Sequence, residues 1–199
     1  MMSILDVAIG TENIRTCLEE DFDVILPDHP CLPEDKQGRI HWSQTCQCFA
    51  TDSDGGQYLL LEDRTVGYFS CDGQAGRIAD NLQEFFLMVV NFGHWQDFCV
   101  DQPADQLIQK HSVTPAQEKL SELLDVPLFS DRQILISRFI DTVQRQPGFT
   151  AFYQQEDGTM TCSPSLLMEA VEEKEITLNN RQSTDQDREE LVSRYGLIR

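Results

Sequence analysis

The first regular pattern along the chain is that of a helix. Apolar side chains recur at spacings of three and four residues within residues 12–23, which predicts a short acidic helix with one buried face. The apolar positions are Ile14, Cys17, Leu18 and Phe22. Three prolines then occur within residues 27–33. Because proline lacks a backbone N–H and restricts φ, that segment is predicted to be irregular.

From residue 45 the pattern changes to short stretches with strand character. Three strands are predicted, over residues 45–51, 57–62 and 65–70. Turns rich in Asp and Gly separate them, and the last turn extends to residue 76. Such tight links predict an antiparallel meander. Its packed face is expected to contain cross-strand pairs formed by Tyr58, Leu60, Val66 and Tyr68.

A helix is predicted directly after the meander. Asp80 is its expected N-cap, with Gln83 at the third helical position returning the hydrogen bond. The apolar stripe of this helix is expected to cover the sheet. The stripe consists of Leu82, Phe85, Phe86 and Val89.

Two further helices are predicted nearer the carboxyl terminus. The first has a capping Thr114, a proline at the first helical position and Gln117 at the third. The second begins at Ser130 or Asp131 and ends before Pro147. Both carry apolar residues at helical spacing.

The remaining pattern predicts a second hairpin over residues 149–162, which turns at 156–158. Ser163 and Pro164 are expected to open another helix that runs to residue 171. Residues 172–199 are mostly polar and are predicted to be a solvated helix or a loose tail.

Together these elements predict an α+β fold. An antiparallel meander is packed by helices, and a helical segment and a second hairpin are added toward the carboxyl terminus. A single domain is expected over residues 1–171. Its core spans about 12–99, the helical extension and hairpin span about 104–171, and residues 172–199 form the tail.

Composition places the chain among globular proteins. Of its 199 residues, 40% are apolar and 25% are charged. The longest apolar run, residues 85–90, is far shorter than the roughly 20 residues that span a bilayer. The amino terminus shows no basic leader followed by an apolar stretch. A cytoplasmic location is therefore expected.

Charge is the strongest compositional signal. Thirty-four acidic residues face 15 basic ones, for a formal charge of −19, and residues 1–35 contain nine acids and one base. Such a surface repels nucleic-acid backbones and anionic membranes. It suits a basic protein partner and accelerates the encounter with one. The alternative is that the charge serves only solubility.

The seven cysteines have no spacing typical of a metal site. Cys46 and Cys48 lie two residues apart on a predicted strand and are expected to point to one face as small buried residues. A zinc site that also used His41 and Cys71 lacks the second Cys-x-x-Cys or His pair. No metal or cofactor is predicted.

Catalytic motifs are also missing from the sequence. Neither glycine cluster fits a phosphate-binding loop, and there is no nucleophile elbow. Residues 52–63 begin like a calcium loop, but Asp63 stands where the bidentate Glu belongs. An enzyme that uses paired carboxylates at these turns, or a Cys–His pair formed in space, stays an alternative. The favoured expectation is a protein without catalytic residues.

The stretch over residues 48–90 resembles the central part of the SUKH superfamily, which includes bacterial immunity proteins and yeast cell-wall synthesis regulators. The resemblance follows a Phe-Ala strand end, an Asp/Gly-rich turn, two aromatic strands, a Gly turn and an Ala-Asp-Asn-Leu-x-Glu-Phe-Phe-Leu helix. These are residues 49–50, 52–56, 58–61, 66–69, 73–76 and 79–87. The resemblance implies an α+β protein-binding domain without catalytic residues. Immunity members neutralise a toxin by docking on it, and many such toxins are nucleases with basic faces.

Three functional hypotheses follow. The first is an immunity protein that binds a basic toxin, and the second is a regulatory scaffold of the same fold with several weaker partners. The third is an enzyme that uses Cys or paired carboxylates. For the first two, the expected partner-binding residues are Glu19, Glu20, Asp21, Asp23, Asp28, Asp52, Asp54 and Trp42. Trp42 and Trp95 are each expected either to cap the core or to anchor a partner.

Overall fold

A computed structural model describes residues 3–34, 38–96, 113–130, 132–146 and 148–166. The helices are α1 (Ile4–Gly10), α2 (Glu12–Phe22), α3 (Leu82–Phe92), α4 (Pro115–Leu124) and α5 (Gln133–Gln144). The strands are β1 (Ile40–Trp42), β2 (Cys46–Thr51), β3 (Gln57–Leu61), β4 (Val66–Phe69), β5 (Ala75–Ala79), β6 (Ala151–Gln154) and β7 (Met160–Cys162). The α+β class is as the sequence predicts.

The central sheet is an antiparallel meander of four strands in the order β2-β3-β4-β5. Its register pairs Tyr58 with Tyr68 and Leu60 with Val66, which confirms the predicted cross-strand pairs. The prediction of three strands was wrong by one. The sequence predicts a turn over the first residues of β5, because its Ala-Gly-Arg-Ile-Ala sequence contains only one residue with high strand propensity.

A second antiparallel sheet has the order β1-β6-β7. The predicted hairpin is confirmed as β6 and β7. β1 was not predicted, because three residues are too few for a recognisable alternation. It pairs with β6 through Ile40 opposite Tyr153 and Trp42 opposite Ala151.

The two faces of the central sheet are covered by different layers. On β3, Tyr58 and Leu60 belong to the cluster formed with the helices, whereas Leu59 and Leu61 pack toward the second sheet. Successive side chains of a strand point to opposite faces, so burial on both sides explains why β3 is apolar at consecutive positions. The described residues therefore build three layers: helices, central sheet, second sheet.

The helices of the predicted core and of the extension share one apolar cluster. Leu120 and Leu124 of α4 pack in it together with Leu18 of α2 and Phe86 of α3. α1, which was not predicted, contributes Leu5 and Ala8. Its short length of seven residues hid its periodicity, although a Ser3–Asp6 capping box starts it.

The start of α4 is as the sequence predicts, whereas the starts of α3 and α5 differ from the prediction by a few residues. The Thr114–Gln117 capping box of α4 is as predicted. At α3 the predicted cap was wrong by one residue: Asn81 Oδ1 accepts the hydrogen bond from the Glu84 N–H at 2.9 Å. Asp80 instead forms a bidentate ion pair with Arg145. α5 begins at Gln133, slightly later than predicted, and without a side-chain cap.

The segment after the second hairpin does not open a helix over residues 163–166. Ser165 forms a parallel bridge with Ala75, and the Ala75 N–H donates to the Pro164 carbonyl at 3.1 Å. These contacts pair with β5, an edge strand of the central sheet, whose outer backbone N–H and C=O groups have no neighbouring strand to bind. The rest of the predicted helix and the predicted tail lie outside the described residues.

The proline-rich segment is irregular, as predicted, yet it lies along the other edge of the central sheet. Ile25, just before the segment, forms an isolated antiparallel bridge with Thr51, and Cys31 within the segment forms another with Cys48. The segment thereby covers the edge of β2, which would otherwise expose backbone donors and acceptors. None of the helices in the described ranges has the length and apolar character needed to cross a bilayer.

Candidate partner-binding surface

Helix α2 carries exposed carboxylates near its C-terminal end, and one of them, Asp21, borders the buried face and accepts a hydrogen bond from the Cys17 thiol at 3.5 Å. Ile14, Cys17, Leu18 and Phe22 face the core, whereas Glu19, Glu20 and Asp21 are exposed. The amphipathic spacing of the sequence causes this division, because residues three and four apart share a helix face. Three of the eight predicted partner-binding residues thus lie together on the last turns of α2.

The end of α2 is fastened to the turn between β2 and β3. Asp23 ends the helix in the left-handed conformation, with φ of 54°, which Asp adopts more readily than most residues. Its carboxylate accepts hydrogen bonds from the Ser53 N–H at 2.9 Å and from the Ser53 hydroxyl at 3.1 Å. These bonds bring the acidic turn at residues 52–56 against the acidic helix end.

Asp52 lies inside this turn rather than on its surface. Its side chain is buried, and its carboxylate accepts hydrogen bonds from the Tyr68 hydroxyl at 2.5 Å and from the Gly56 N–H at 2.6 Å. Burial, followed by the hydrogen bond to Asp52 and its charge, raises the pKa of Tyr68. Asp52 therefore holds the turn in place, and its direct contact with a partner is limited by burial.

Asp54 and Asp72 complete the group at the tips of two adjacent turns, where both are exposed. Their proximity shows in Cys71: partial desolvation, then the charges of Asp72, Asp54 and Asp52, raise the pKa of its thiol. We call the group formed by α2 and the two turns the acidic end. It consists of Glu19, Glu20, Asp21, Asp23, Asp52, Asp54 and Asp72.

The charges of the acidic end also act on two buried groups, Cys17 and Tyr58. Burial is the main cause that raises the pKa of Cys17 to about 11, and Asp21 and Glu20 add to the effect while Lys119 opposes it. Burial likewise raises the pKa of Tyr58, to which the charges of Asp52 and Asp23 contribute. Asp23 at the end of α2 and Asp52 in the β2–β3 turn therefore both act on Tyr58.

Two of the predicted residues lie apart from this arrangement. Asp28 is highly exposed but forms an ion pair with Arg15 at 2.9 Å, which compensates part of its charge. Trp42 packs between the sheets: its ring stacks on Phe149 at 5.8 Å and meets Phe69 edge-on at 5.1 Å. Trp42 is half-buried, so much of its surface contributes to the second cluster rather than to solvent.

Trp95 belongs to the core. It is 1% exposed, and its indole N–H donates to the Tyr58 hydroxyl at 3.2 Å. The Gln96 amide donates to the same hydroxyl at 3.0 Å. Of the two roles considered for this tryptophan, the structure places it in the core-capping one.

The pKa values of the buried cysteines are raised, whereas a catalytic thiol needs a lowered pKa. Cys46 and Cys48 share one face of β2, as predicted, and burial raises their pKa values to about 11 and about 12. A nucleophilic cysteine needs a lowered pKa, since the thiolate is the reactive form. Within the described parts of the chain, no three His, Cys, Asp or Glu side chains are arranged to hold a metal ion.

Sequence reasoning identified most members of the acidic end but not what joins them. The Asp23–Ser53 contact spans 30 residues, and no local pattern signals it. The sequence predicts a turn around Asp72 but no relation between that turn and the β2–β3 turn. No protein-family model, curated protein or solved structure matches the chain.

Proposed function

We propose that this chain is a non-catalytic protein-binding protein whose acidic end docks on a basic partner. The observation that carries the proposal is the fastening of α2 to the β2–β3 turn, which gathers carboxylates on one end of a chain with a formal charge of −19. Clustered exposed charges of one sign steer an oppositely charged partner and raise its association rate.

Within that class, the proposed role is that of an immunity protein, located in the cytoplasm, that neutralises a basic toxin. The resemblance of residues 48–90 to the SUKH superfamily supports this role, and a nuclease is the toxin class whose substrate-binding face would be basic. A protein inhibitor competes with the nucleic-acid backbone by presenting carboxylates in place of phosphates. This is a further reason to expect the acidic end at the interface.

Two measurements test the proposed role. The tagged chain is used to capture partners from its source cell, and they are eluted with a salt gradient and identified by mass spectrometry. We expect one stoichiometric basic protein, released by salt because exposed charge pairs are screened. That protein should be toxic when expressed alone and harmless when expressed together with this chain.

Other results would redirect the proposal. Several substoichiometric partners with micromolar affinities would favour the regulatory scaffold instead. A basic partner that is not toxic would retain the protein-binding proposal and reject the immunity role. Capture of a small-molecule substrate or its conversion would contradict both.

A further inference from the structure

Two cysteines from distant parts of the sequence are paired across the edge of the central sheet. Cys31 and Cys48 form an antiparallel bridge in which each backbone N–H donates to the other residue's carbonyl at 2.8 Å. Residues that exchange both bonds have Cα atoms about 5.5 Å apart, and their side chains lie on the same face. That separation falls within the usual Cα–Cα range of disulfides, about 4.4–6.8 Å. The Cβ atoms of such a pair lie about 4.5–5.5 Å apart, against about 3.5–4.5 Å in a disulfide, so closing the bond requires the segment that carries Cys31 to move slightly toward β2.

The two thiols also interact with each other and differ strongly in accessibility. Cys31 is exposed, whereas Cys48 is 3% exposed. Burial raises the pKa of Cys48 to about 12, and the charge of Cys31 and a hydrogen bond with its side chain contribute in the same direction. Both are free thiols in this structure. One thiol is thus open to a reagent in solution, and its neighbour is shielded but in reach of the first.

We propose that Cys31 and Cys48 are a redox site, which closes reversibly to a disulfide by exchange with a small-molecule disulfide such as glutathione disulfide. The inference rests on the pairing of the two residues and does not depend on the proposed function.

The exchange has two balanced steps. The Cys31 thiolate attacks one sulfur of glutathione disulfide, which forms a mixed disulfide at Cys31 and releases one glutathione thiolate. Cys48 then loses its proton and its hydrogen bond to the Ala50 carbonyl, and it attacks the Cys31 sulfur. The second glutathione leaves as a thiol. Two protein thiols are oxidised by two electrons, and one glutathione disulfide is reduced to two glutathione molecules.

Closing this pair would join the proline-rich segment covalently to β2. The closed loop, residues 31–48, contains β1, which belongs to the second sheet. The disulfide would restrict the unfolded chain and hold the edge cover in place. The same segment carries Leu32, which is 81% exposed, so the redox state would determine how firmly that side chain is held at the surface.

The test follows the full chain by mass spectrometry in glutathione buffers of increasing oxidised fraction. In wild type the peptides that carry Cys31 and Cys48 are expected to be joined after proteolysis without reductant, with a combined mass lower by two hydrogen atoms, whatever glutathione the exposed Cys71 and Cys162 take up. The midpoint of urea unfolding should be higher for the oxidised than for the reduced wild type, and the two midpoints should coincide in Cys31→Ser. The closing step should accelerate between pH 7 and pH 9, because Cys48 must lose a proton.

Two variants separate the steps. Cys48→Ala is expected to stop at the glutathione adduct of Cys31, and the exposed Cys31→Ser should form neither the adduct at this position nor the internal bond. Double replacement of the exposed Cys71 and Cys162 by Ser serves as the control and should leave closure unchanged. Wild type that accumulates the Cys31 adduct without closing, or that joins Cys31 to another cysteine, would overturn the proposal. If Cys48→Ala does not fold, the peptide map of wild type decides.

Discussion

Single residues show how the acidic end is built on a buried polar contact. The carboxylate of Asp52 and the hydroxyl of Tyr68 are both removed from solvent and are joined by a 2.5 Å hydrogen bond. Gly56 lies against them so closely that a Cβ there would clash with the Tyr68 hydroxyl and the Asp52 carboxylate. The turn that presents Asp54 therefore requires a residue without a side chain at position 56, because a Cβ would have no space there.

Removal of this hydrogen bond should destabilise the chain. Tyr68→Phe leaves a buried carboxylate oxygen without its donor, so we expect a loss of about 1–3 kcal/mol in the free energy of unfolding. Urea denaturation measures the loss. Tyr153→Phe is the matched control, because the Tyr153 hydroxyl donates to the Gly73 carbonyl at a partly exposed site and should matter less. Equal losses in the two variants would contradict the structural role assigned to Asp52.

Cys71 provides a reporter of the field at the acidic end. Its pKa is raised by desolvation and by Asp72, Asp54 and Asp52, so its thiolate fraction at neutral pH is reduced and an anionic reagent is repelled. We expect Cys71 to react more slowly than the exposed Cys162 with a negatively charged disulfide reagent. Asp54→Asn and Asp72→Asn should each accelerate the reaction at Cys71 and leave Cys162 unchanged. If the reaction rate of Cys71 is unchanged by both substitutions and by added salt, the carboxylates of the acidic end do not act on this thiol.

At the scale of secondary-structure elements, the close packing of the second sheet on β4 restricts which residue can occupy position 67. Gly67 of β4 lies beneath the second sheet, where an added Cβ would approach Phe149 Cδ1 to 2.9 Å and Leu61 Cδ2 to 3.2 Å. Close contact between two sheets therefore requires a residue without a side chain at this position.

Gly67→Ala should push the two sheets apart and cost about 1–3 kcal/mol of unfolding free energy. Gly10→Ala at the end of α1 is the control, since a Cβ there meets nothing within 4 Å. Alanine also favours helix over glycine, so this variant should be neutral or slightly stabilising. Thermal unfolding compares the two, and a Gly67→Ala protein as stable as the Gly10→Ala protein would refute the packing of the second sheet on β4.

Two substitutions of Asp23 distinguish its structural role at the junction between α2 and the β2–β3 turn from its contribution of negative charge. Asp23→Asn keeps an oxygen acceptor for Ser53 and tolerates the left-handed conformation, so stability should change little. Asp23→Ala loses both bonds and adopts positive φ with more strain, and we expect a loss of about 1–2 kcal/mol in urea denaturation. If Asp23→Ala is as stable as Asp23→Asn, the junction does not hold the two elements together.

Elements with strong local signals were predictable, and elements defined by distant partners were not. The periodicity of α2, the capping box of α4 and the Asp-Gly turns identified their elements correctly. β5 and β1 are strands because neighbouring strands pair with them, and neither sequence shows alternation. The choice of Asn81 over Asp80 as the cap of α3 depends on Arg145, which lies more than 60 residues away and holds the Asp80 carboxylate.

The same division holds for the candidate site. The acidity of residues 19–23 and of the β2–β3 turn was visible in the sequence, because charged side chains are recognised one by one. The assembly of these acids into one group was not visible, since the Asp23–Ser53 hydrogen bonds connect the end of α2 to a turn 30 residues further along the chain. The buried position of Asp52 also required the structure, because a turn aspartate is ordinarily solvated.

At the scale of the whole molecule, the chain has a formal net charge of −19, and its described residues form an ordinary three-layer fold. Several arginines form ion pairs within the chain: Arg77 with Asp63 at 2.8 Å, Arg138 with Glu84 at 2.7 Å and Arg15 with Asp28 at 2.9 Å. These pairs compensate acids at several places, whereas the acidic end collects carboxylates from α2 and two turns. A basic partner is therefore expected to be steered to that end.

The most direct test of this account measures the association rate of the captured partner with two charge-matched variants. One variant carries Glu19→Gln, Glu20→Gln and Asp54→Asn in the acidic end. The control carries Glu62→Gln, Asp141→Asn and Glu156→Gln at other exposed positions. At low salt the first should associate about tenfold more slowly than wild type, and the control about as fast as wild type. Equal rates for the two variants would contradict the acidic end as the binding surface.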